Sequence, residues 1–323
     1  MRTPAAVFVA LLVFATPALA QSKTKPLPPS PPAAAATPET DNSKVDLAYG
    51  AFQRGFYLTA LAEATKRAQK NDPQAMTLLG EIYAQGLGVG RDDAKAVEWF
   101  KLAASHGDRD AMFALAVFNL EGRGVPRNPQ EGAKLLADAA KLGHPVAAYD
   151  LGVLYLNGTQ FPKDVTRAAQ LFQQAADAGN VQAQYALANL YKEGRGVPKD
   201  QKKAMQLMQA AAIAGHLDAM VEFAIAQFNG NGTPKNESAA AALLLKAAQR
   251  GNVVAQDRLS RILMAGRGMP ADPTEAVKWH IIAKAGGDND PDLDAFAAKQ
   301  SQKVRDTAEK AARLWLSTAT PRH

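Results

Sequence analysis

Apolar residues return along this chain at two superimposed periods. The short period is helical: Ala75, Leu79, Ile82 and Tyr83 fall three and four residues apart, as do Trp99, Phe100 and Ala103. The long period is a step of 36 residues with no insertion. Leu79, Leu115, Leu151, Leu187, Phe223 and Leu259 form one column, and Ala103, Ala139, Ala175, Ala211, Ala247 and Ala283 another. Gly107, Gly143, Gly179, Gly215, Gly251 and Gly287 keep the same step. Self-similarity at a fixed period of this length marks a repeat architecture.

Polar positions divide each unit into two helices. A glycine follows the first (Gly86, Gly122, Gly158, Gly194, Gly230, Gly266), where a left-handed residue closes a helix at no side-chain cost. The second begins at Asp92, Asn128, Asp164, Asp200, Asn236 and Asp272, whose side chains accept hydrogen bonds from the free N–H groups of a first turn. Pro129 and Pro273 suit the first helical position, and Glu131 and Glu275 have the spacing of a capping box. The next unit's first helix is capped from Asp72, Asp108, His144, Asn180, His216, Asn252 and Asp288.

The connectors read GLGVG at Gly86, GRGVPRN at Gly122, GTQFPKD at Gly158, GRGVPKD at Gly194, GNGTPKN at Gly230 and GRGMPAD at Gly266. A phosphate-cradling loop would follow a strand, open onto a helix and place Ser or Thr after its Lys. Here a helix precedes the loop, so the glycines are punctuation. Gln160 replaces the second glycine of the third connector, which predicts a different turn there.

A helix pair of this length cannot bury both faces alone, but a stack of pairs makes one continuous core. The expected fold is all-α: a right-handed α-solenoid, or superhelix, of six helix pairs over residues 75–287. Residues 45–74 read as an N-terminal helical capping unit and 288–323 as a C-terminal capping helix with a tail. Asp290-Pro291 predicts the start of one long helix carrying Leu293, Phe296, Val304, Ala308, Ala311 and Trp315.

The remaining N-terminal segment reads differently. Arg2, the apolar run Ala5–Ala15 and the Ala18-Leu19-Ala20 end predict a signal peptide over residues 1–20, cleaved after Ala20, and a periplasmic or secreted product. Residues 21–44 are rich in Pro and Ala and read as an extended tether. The chain has no cysteine, which removes disulfides and thiolate chemistry. Its formal charge of +6 is spread among interleaved acids and bases, a weak nucleic-acid signal. No nucleic-acid partner and no transmembrane segment in the mature chain are expected.

The first unit carries the full pattern Ala75, Leu79, Gly80, Tyr83, Gly86, Gly88, Val89, Asp92, Ala96, Trp99, Phe100, Ala103, Ala104 and Gly107. This pattern resembles the Sel1-like repeat (SLR) family, within the tetratricopeptide-like helical repeats. Asn119, Gln227 and Leu263 depart from it where other units have tyrosine, and Gly132 where they have alanine. The resemblance implies binding rather than catalysis. Members act as adaptors or scaffolds, and exported bacterial ones include regulators of envelope signalling.

Candidate chemistry does not displace that reading. His144 and His216 fall in a capping column two repeats apart, and His106, His280 and His323 form no ligand pair with the spacing of a metal motif. Asp290, Asp292 and Asp294 lack the glycine and distal glutamate of a calcium loop. No catalytic, cofactor-binding or metal-binding residue is assigned. Phe113, Tyr149 and Tyr185 read as packing against the neighbouring repeat rather than as a peptide ladder.

First helices usually line the inner side of such a stack. Glu81, Val117, Val153, Asn189, Ile225 and Arg261, with Gln85, Glu121, Asn157, Glu193 and Asn229 one turn on, are therefore the expected partner-binding positions. The expected partner is a protein, such as a membrane sensor or envelope complex. The alternative is an accessory factor or enzyme acting on cell-wall or other polysaccharide.

Overall fold

The computed structural model describes residues 46–319. The expected signal peptide (1–20) and expected tether (21–44), with Val45 and the last four residues, lie outside the described residues. Within them, every regular element is a helix. A leading pair, α1 (Leu47–Gln53) and α2 (Tyr57–Ala68), precedes six repeat pairs. Their first helices are α3 (Pro73–Gln85), α5 (Arg109–Glu121), α7 (Pro145–Asn157), α9 (Val181–Glu193), α11 (Leu217–Asn229) and α13 (Val253–Ala265). Their second helices are α4 (Asp93–Ser105), α6 (Pro129–Lys141), α8 (Val165–Asp177), α10 (Gln201–Ile213), α12 (Glu237–Gln249) and α14 (Pro273–Ala285). Two closing helices follow, α15 (Pro291–Ala298) and α16 (Gln302–Ala319). Each first helix packs against its own second helix, and each second helix against the next first helix. The chain is an all-α solenoid.

Each repeat is held by three backbone devices. The connector's first glycine takes a left-handed conformation in all six repeats, with φ of 67–78°. The Asp or Asn before each second helix then accepts from the third N–H of that helix at 2.8–3.1 Å. The N–H of that same residue donates back to the first helix: Asp92 to Tyr83, Asn128 to Asn119, Asp164 to Tyr155, Asp200 to Tyr191, Asn236 to Gln227 and Asp272 to Leu263, at 2.8–3.1 Å. This bond corrects the expected capping boxes. The donor that Glu131 and Glu275 would have satisfied is already engaged, so Glu131 approaches Lys134, and Glu275 binds Lys278 and Trp279.

The connector's second glycine makes the joint between repeats. A Cβ built on Gly196 would lie 2.5 Å from the carbonyl oxygen of Val165, at the start of the preceding repeat's second helix. The same addition at Gly124 would meet the Asp93 oxygen at 2.2 Å, and at Gly268 the Glu237 oxygen at 2.4 Å. Backbone thus rests on backbone, which only glycine permits. Arg123 and Arg267, one residue before these glycines, reinforce the joint through Asp93 and Glu237 of the same preceding helices. In the third connector Gln160 does not adopt positive φ, and Phe161 stacks on Tyr155 at 4.7 Å instead.

Inside each pair, size is matched across the helices. A Cβ on Gly80 would fall 2.4 Å from Phe100, and one on Gly152 would fall 2.6 Å from Phe172. Where this column holds Ala116, Ala188 or Ala224, the position of the phenylalanine holds Leu136, Met208 or Leu244. All of these are buried. The alanine column from Ala103 to Ala283 is closed to solvent throughout.

Two expectations fail at the C-terminal end. The long helix from Pro291 is interrupted at Lys299–Ser301, where Ser301 caps α16 through the N–H of Val304 at 3.4 Å. The break lets α16 turn back onto α14, so that Trp315 meets Trp279 edge-on at 5.9 Å. Asp288 is not a cap. α15 starts two residues later than the repeat step requires, and Asp290 accepts from Asp292 and Leu293 instead.

Two outcomes test this construction. Gly194→Ala should cost about 1–2 kcal/mol for the left-handed residue. Gly196→Ala should cost about 1–3 kcal/mol more, because the methyl group also meets the Val165 carbonyl. Urea unfolding of the two variants measures the difference. Deleting Asp292 to His323 exposes Trp279 and should lower the melting temperature, as followed by circular dichroism.

Candidate partner-binding face

The first helices present one strip of side chains in common register. Glu81, Val117, Val153, Asn189 and Ile225 occupy the same turn of α3, α5, α7, α9 and α11 and are all half-buried. Gln85, Glu121, Asn157, Glu193 and Asn229 are the last residues of those helices and are exposed. The register follows from identical caps at both helix ends, which fix each helix to 13 residues. The left-handed glycine after each of these last residues turns the chain away toward the connector.

The fold uses the aromatic column elsewhere. Phe113 stacks on His144 at 4.4 Å and Tyr185 on His216 at 4.3 Å, each joining one repeat to the cap of the next. Tyr149 instead packs against Phe172 of its own repeat at 5.5 Å. Each histidine caps through Nδ1, accepting from Ala147 at 3.0 Å and from Ala219 at 3.2 Å. Capping therefore requires the neutral ring. Burial holds both imidazoles below their ordinary range, against the opposing pull of Asp110 on His144 and Asp218 on His216.

Charge on the strip is uneven. Glu81 and Asp150, on α3 and α7, make no hydrogen bond or ion pair with the described residues. Burial, with the charges of Asp110 and Asp108, pushes the Glu81 carboxyl up to about 7. Burial alone raises Asp150 to about 6. Glu222 on α11 is fully engaged, accepting from Tyr185 at 2.8 Å and Lys192 at 2.6 Å. At the next step of its column the sign reverses to Arg258.

A cavity of about 370 Å³ opens between α11 and α13 beside that arginine. Ile225, Phe228, Leu244, Ile262, Met264 and Ala265 supply its apolar lining, with Asn229 beside them. Every charged residue lining it is an arginine: Arg258, Arg261 and Arg267. Of the eleven sequence-predicted positions, the structure gathers Ile225, Asn229 and Arg261 here and leaves the other eight spaced along the strip. Phe228, Arg258, Met264 and Arg267 were missed. The available signal was a pair of arginines, Arg258 and Arg261, one turn apart on the same helix. Among the described residues, no group of three or more His, Cys, Asp or Glu side chains could hold a metal ion, and no helix is long and apolar enough to cross a membrane.

The Sel1 repeat family matches residues 73–108, 109–144, 145–180, 181–216, 217–252 and 253–288. The chain belongs to the Sel1 repeat family. Among solved structures it is similar to a Sel1 repeat protein from Oxalobacter formigenes, with 27% identity and a TM-score of 0.61, covering 76% of this chain and 97% of that one. It is also similar to c5321, a protective antigen of uropathogenic Escherichia coli strains with an SLR fold, with 25% identity and a TM-score of 0.54. That match covers 82% of this chain but 65% of the antigen's length. Comparison with curated proteins gives no match. Sel1 repeat proteins are generally protein-interaction scaffolds and typically non-catalytic.

The raised Glu81 carboxyl has a measurable sign. Its folded-state value lies above the ordinary one, so the neutral form suits the fold and stability is lost as pH rises from about 4.5 through about 7. Glu81→Gln in this Sel1 scaffold should raise the melting temperature at pH 8 and leave it unchanged near pH 4. The gain should be about 1 kcal/mol, since partial solvent contact screens the charge.

Proposed function

We propose that this Sel1 repeat protein is an exported, periplasmic scaffold that holds a partner protein against its first-helix face and thereby regulates an envelope sensor or assembly complex. The observation that carries the reading is the strip itself. Val117, Val153 and Ile225 remain half-buried at its surface, and Glu81 and Asp150 are desolvated carboxyls without a counter-charge. Val153 and Ile225 also pack against the core, but folding alone does not favour the two unpaired carboxyls. Groups that cost stability and serve no internal contact accumulate where a protein meets something else. The leader-like residues 1–20, followed by the Pro/Ala-rich segment 21–44, support export.

The strip carries no nucleophile–base pair, and its titratable groups are spaced along separate helices. A binding surface fits this arrangement better than a site of turnover.

The test is capture. Tagged full-length protein, crosslinked in cells and recovered from the periplasmic fraction, should return a discrete protein partner. Glu121→Lys together with Glu193→Lys should abolish that capture while leaving the melting temperature almost unchanged. The only ion pairs lost are exposed ones to Arg123 at 3.7 Å and Arg195 at 3.1 Å, and such pairs contribute about 0–1 kcal/mol each. Cytosolic retention would refute export. Undiminished capture by the double variant would place the contact on another surface.

A further inference from the structure

We propose that the cavity between α11 and α13 is an acceptor pocket for an acidic segment of a partner protein, one in which an Asp or Glu lies beside a bulky apolar residue. The proposal rests on reading the first-helix face as a partner surface, and it names the chemistry one part of that face selects.

Three observations set that chemistry. First, the floor is apolar: Leu244 and Ile262 are buried, with Phe228 and Met264 beside them. An inserted Phe, Leu or Met side chain is desolvated there without leaving a polar group unpaired. About 370 Å³ admits one large side chain with its adjoining backbone, near the lower end of specific pockets.

Second, the charge is one-sided. Arg258 is exposed and makes no hydrogen bond or ion pair with the described residues. The nearest acid of its own column, Glu222, is held by Tyr185 and Lys192 and turned to α9. Arg267 lies over the Phe228 ring at 4.6 Å and pairs with Glu237. Arg261 pairs with Asp290 and, at 3.6 Å, with Asp292, while its Nε is buried without a hydrogen-bond partner. Arg258 is therefore the free cation, and its planar fork suits a carboxylate. Arg261 and Arg267 are fixed around it by their own acids. Asp257, Asp288, Asp290 and Asp292 lie behind Arg261, and none of them lines the cavity.

Third, Asn229, a residue with a side-chain amide, lines the same cavity at the end of α11. That amide offers both a donor and an acceptor to the backbone of an extended segment. An apolar anchor, a carboxylate and a peptide backbone are thus each matched.

Selection from a displayed library of random 12-residue peptides, first on the full chain and then by depletion on Arg258→Glu, tests the proposal. Peptides retained by the wild type and lost by the variant should carry Asp or Glu next to Phe, Leu, Ile, Met or Trp. Synthesised with acetylated and amidated ends, so that no terminal carboxylate remains, they should bind the wild type at least tenfold more tightly in fluorescence anisotropy. Replacing the acid by its amide should cost a similar factor, and so should replacing the apolar residue by Gly. Lys101→Glu, on the exposed side of α4, should change nothing. Equal binding to Arg258→Glu, a selected motif without acids, or a requirement for a free C-terminal carboxylate would each overturn the pocket. Loss of these peptides with intact periplasmic capture leaves the scaffold reading standing. Peptide binding without a periplasmic partner removes the scaffold's proposed role and keeps the pocket.

Discussion

Everything in this solenoid depends on backbone meeting backbone at the connector. At Gly124, Gly196 and Gly268 the loop's second glycine sits so close to the first turn of the preceding repeat's second helix that a single methyl group would overlap a carbonyl oxygen. At Gly88 and Gly232 it would crowd side-chain carbons of Tyr57 and Gln201 on the preceding helix. Two chain segments at that separation exclude water and fix the step from one repeat to the next. Wherever the glycine pair is kept the contact recurs in step with the 36-residue repeat, so those repeats are placed relative to their neighbours in nearly the same way. The third connector uses Phe161 on Tyr155. A solenoid's stability is close to a sum of repeat and neighbour terms, so one short joint used repeatedly sets the character of the whole.

The caps distribute the remaining work. At the start of every second helix the Asp or Asn acts twice, with its side chain closing its own helix and its N–H tying back to the previous one. That leaves the glutamates of the apparent capping boxes free for surface ion pairs. Small residues opposite large ones, as in Gly152 against Phe172, draw the two helices of a pair together. With connectors and helix interfaces committed to the fold, the first-helix strip is left to carry side chains of varied character. This is the physical basis for treating the strip, rather than the loops, as the functional surface.

Most of the fold was legible in the sequence because its signals are local and repeated. A left-handed glycine, a capping Asp and a buried alanine each declare a backbone requirement, and six copies in phase remove ambiguity. The failures occur where repetition ends. Nothing in the helical periodicity from Leu293 to Trp315 announces the break at Lys299–Ser301, because the break is demanded by α16 reaching Trp279, a contact distant in sequence. The reciprocal half of the capping box was invisible for the same reason: its competitor is a carbonyl on another helix. Ile225 and Asn229 were reached by register alone. Arg261 was too, but Arg258 and Arg267 were not, since a cavity belongs to two helices at once and no single column describes it.

Backbone hydrogen exchange measured residue by residue would test the central claim most directly. If the connectors are rigid joints, the amide of Asp200, bonded to the Tyr191 carbonyl at 3.0 Å, exchanges as slowly as amides inside α9. The equivalent amides of Asp92, Asn128, Asp164, Asn236 and Asp272 behave likewise. Exchange at these six positions as fast as in a solvated loop would contradict the account, because the helix pairs would then be joined by flexible linkers.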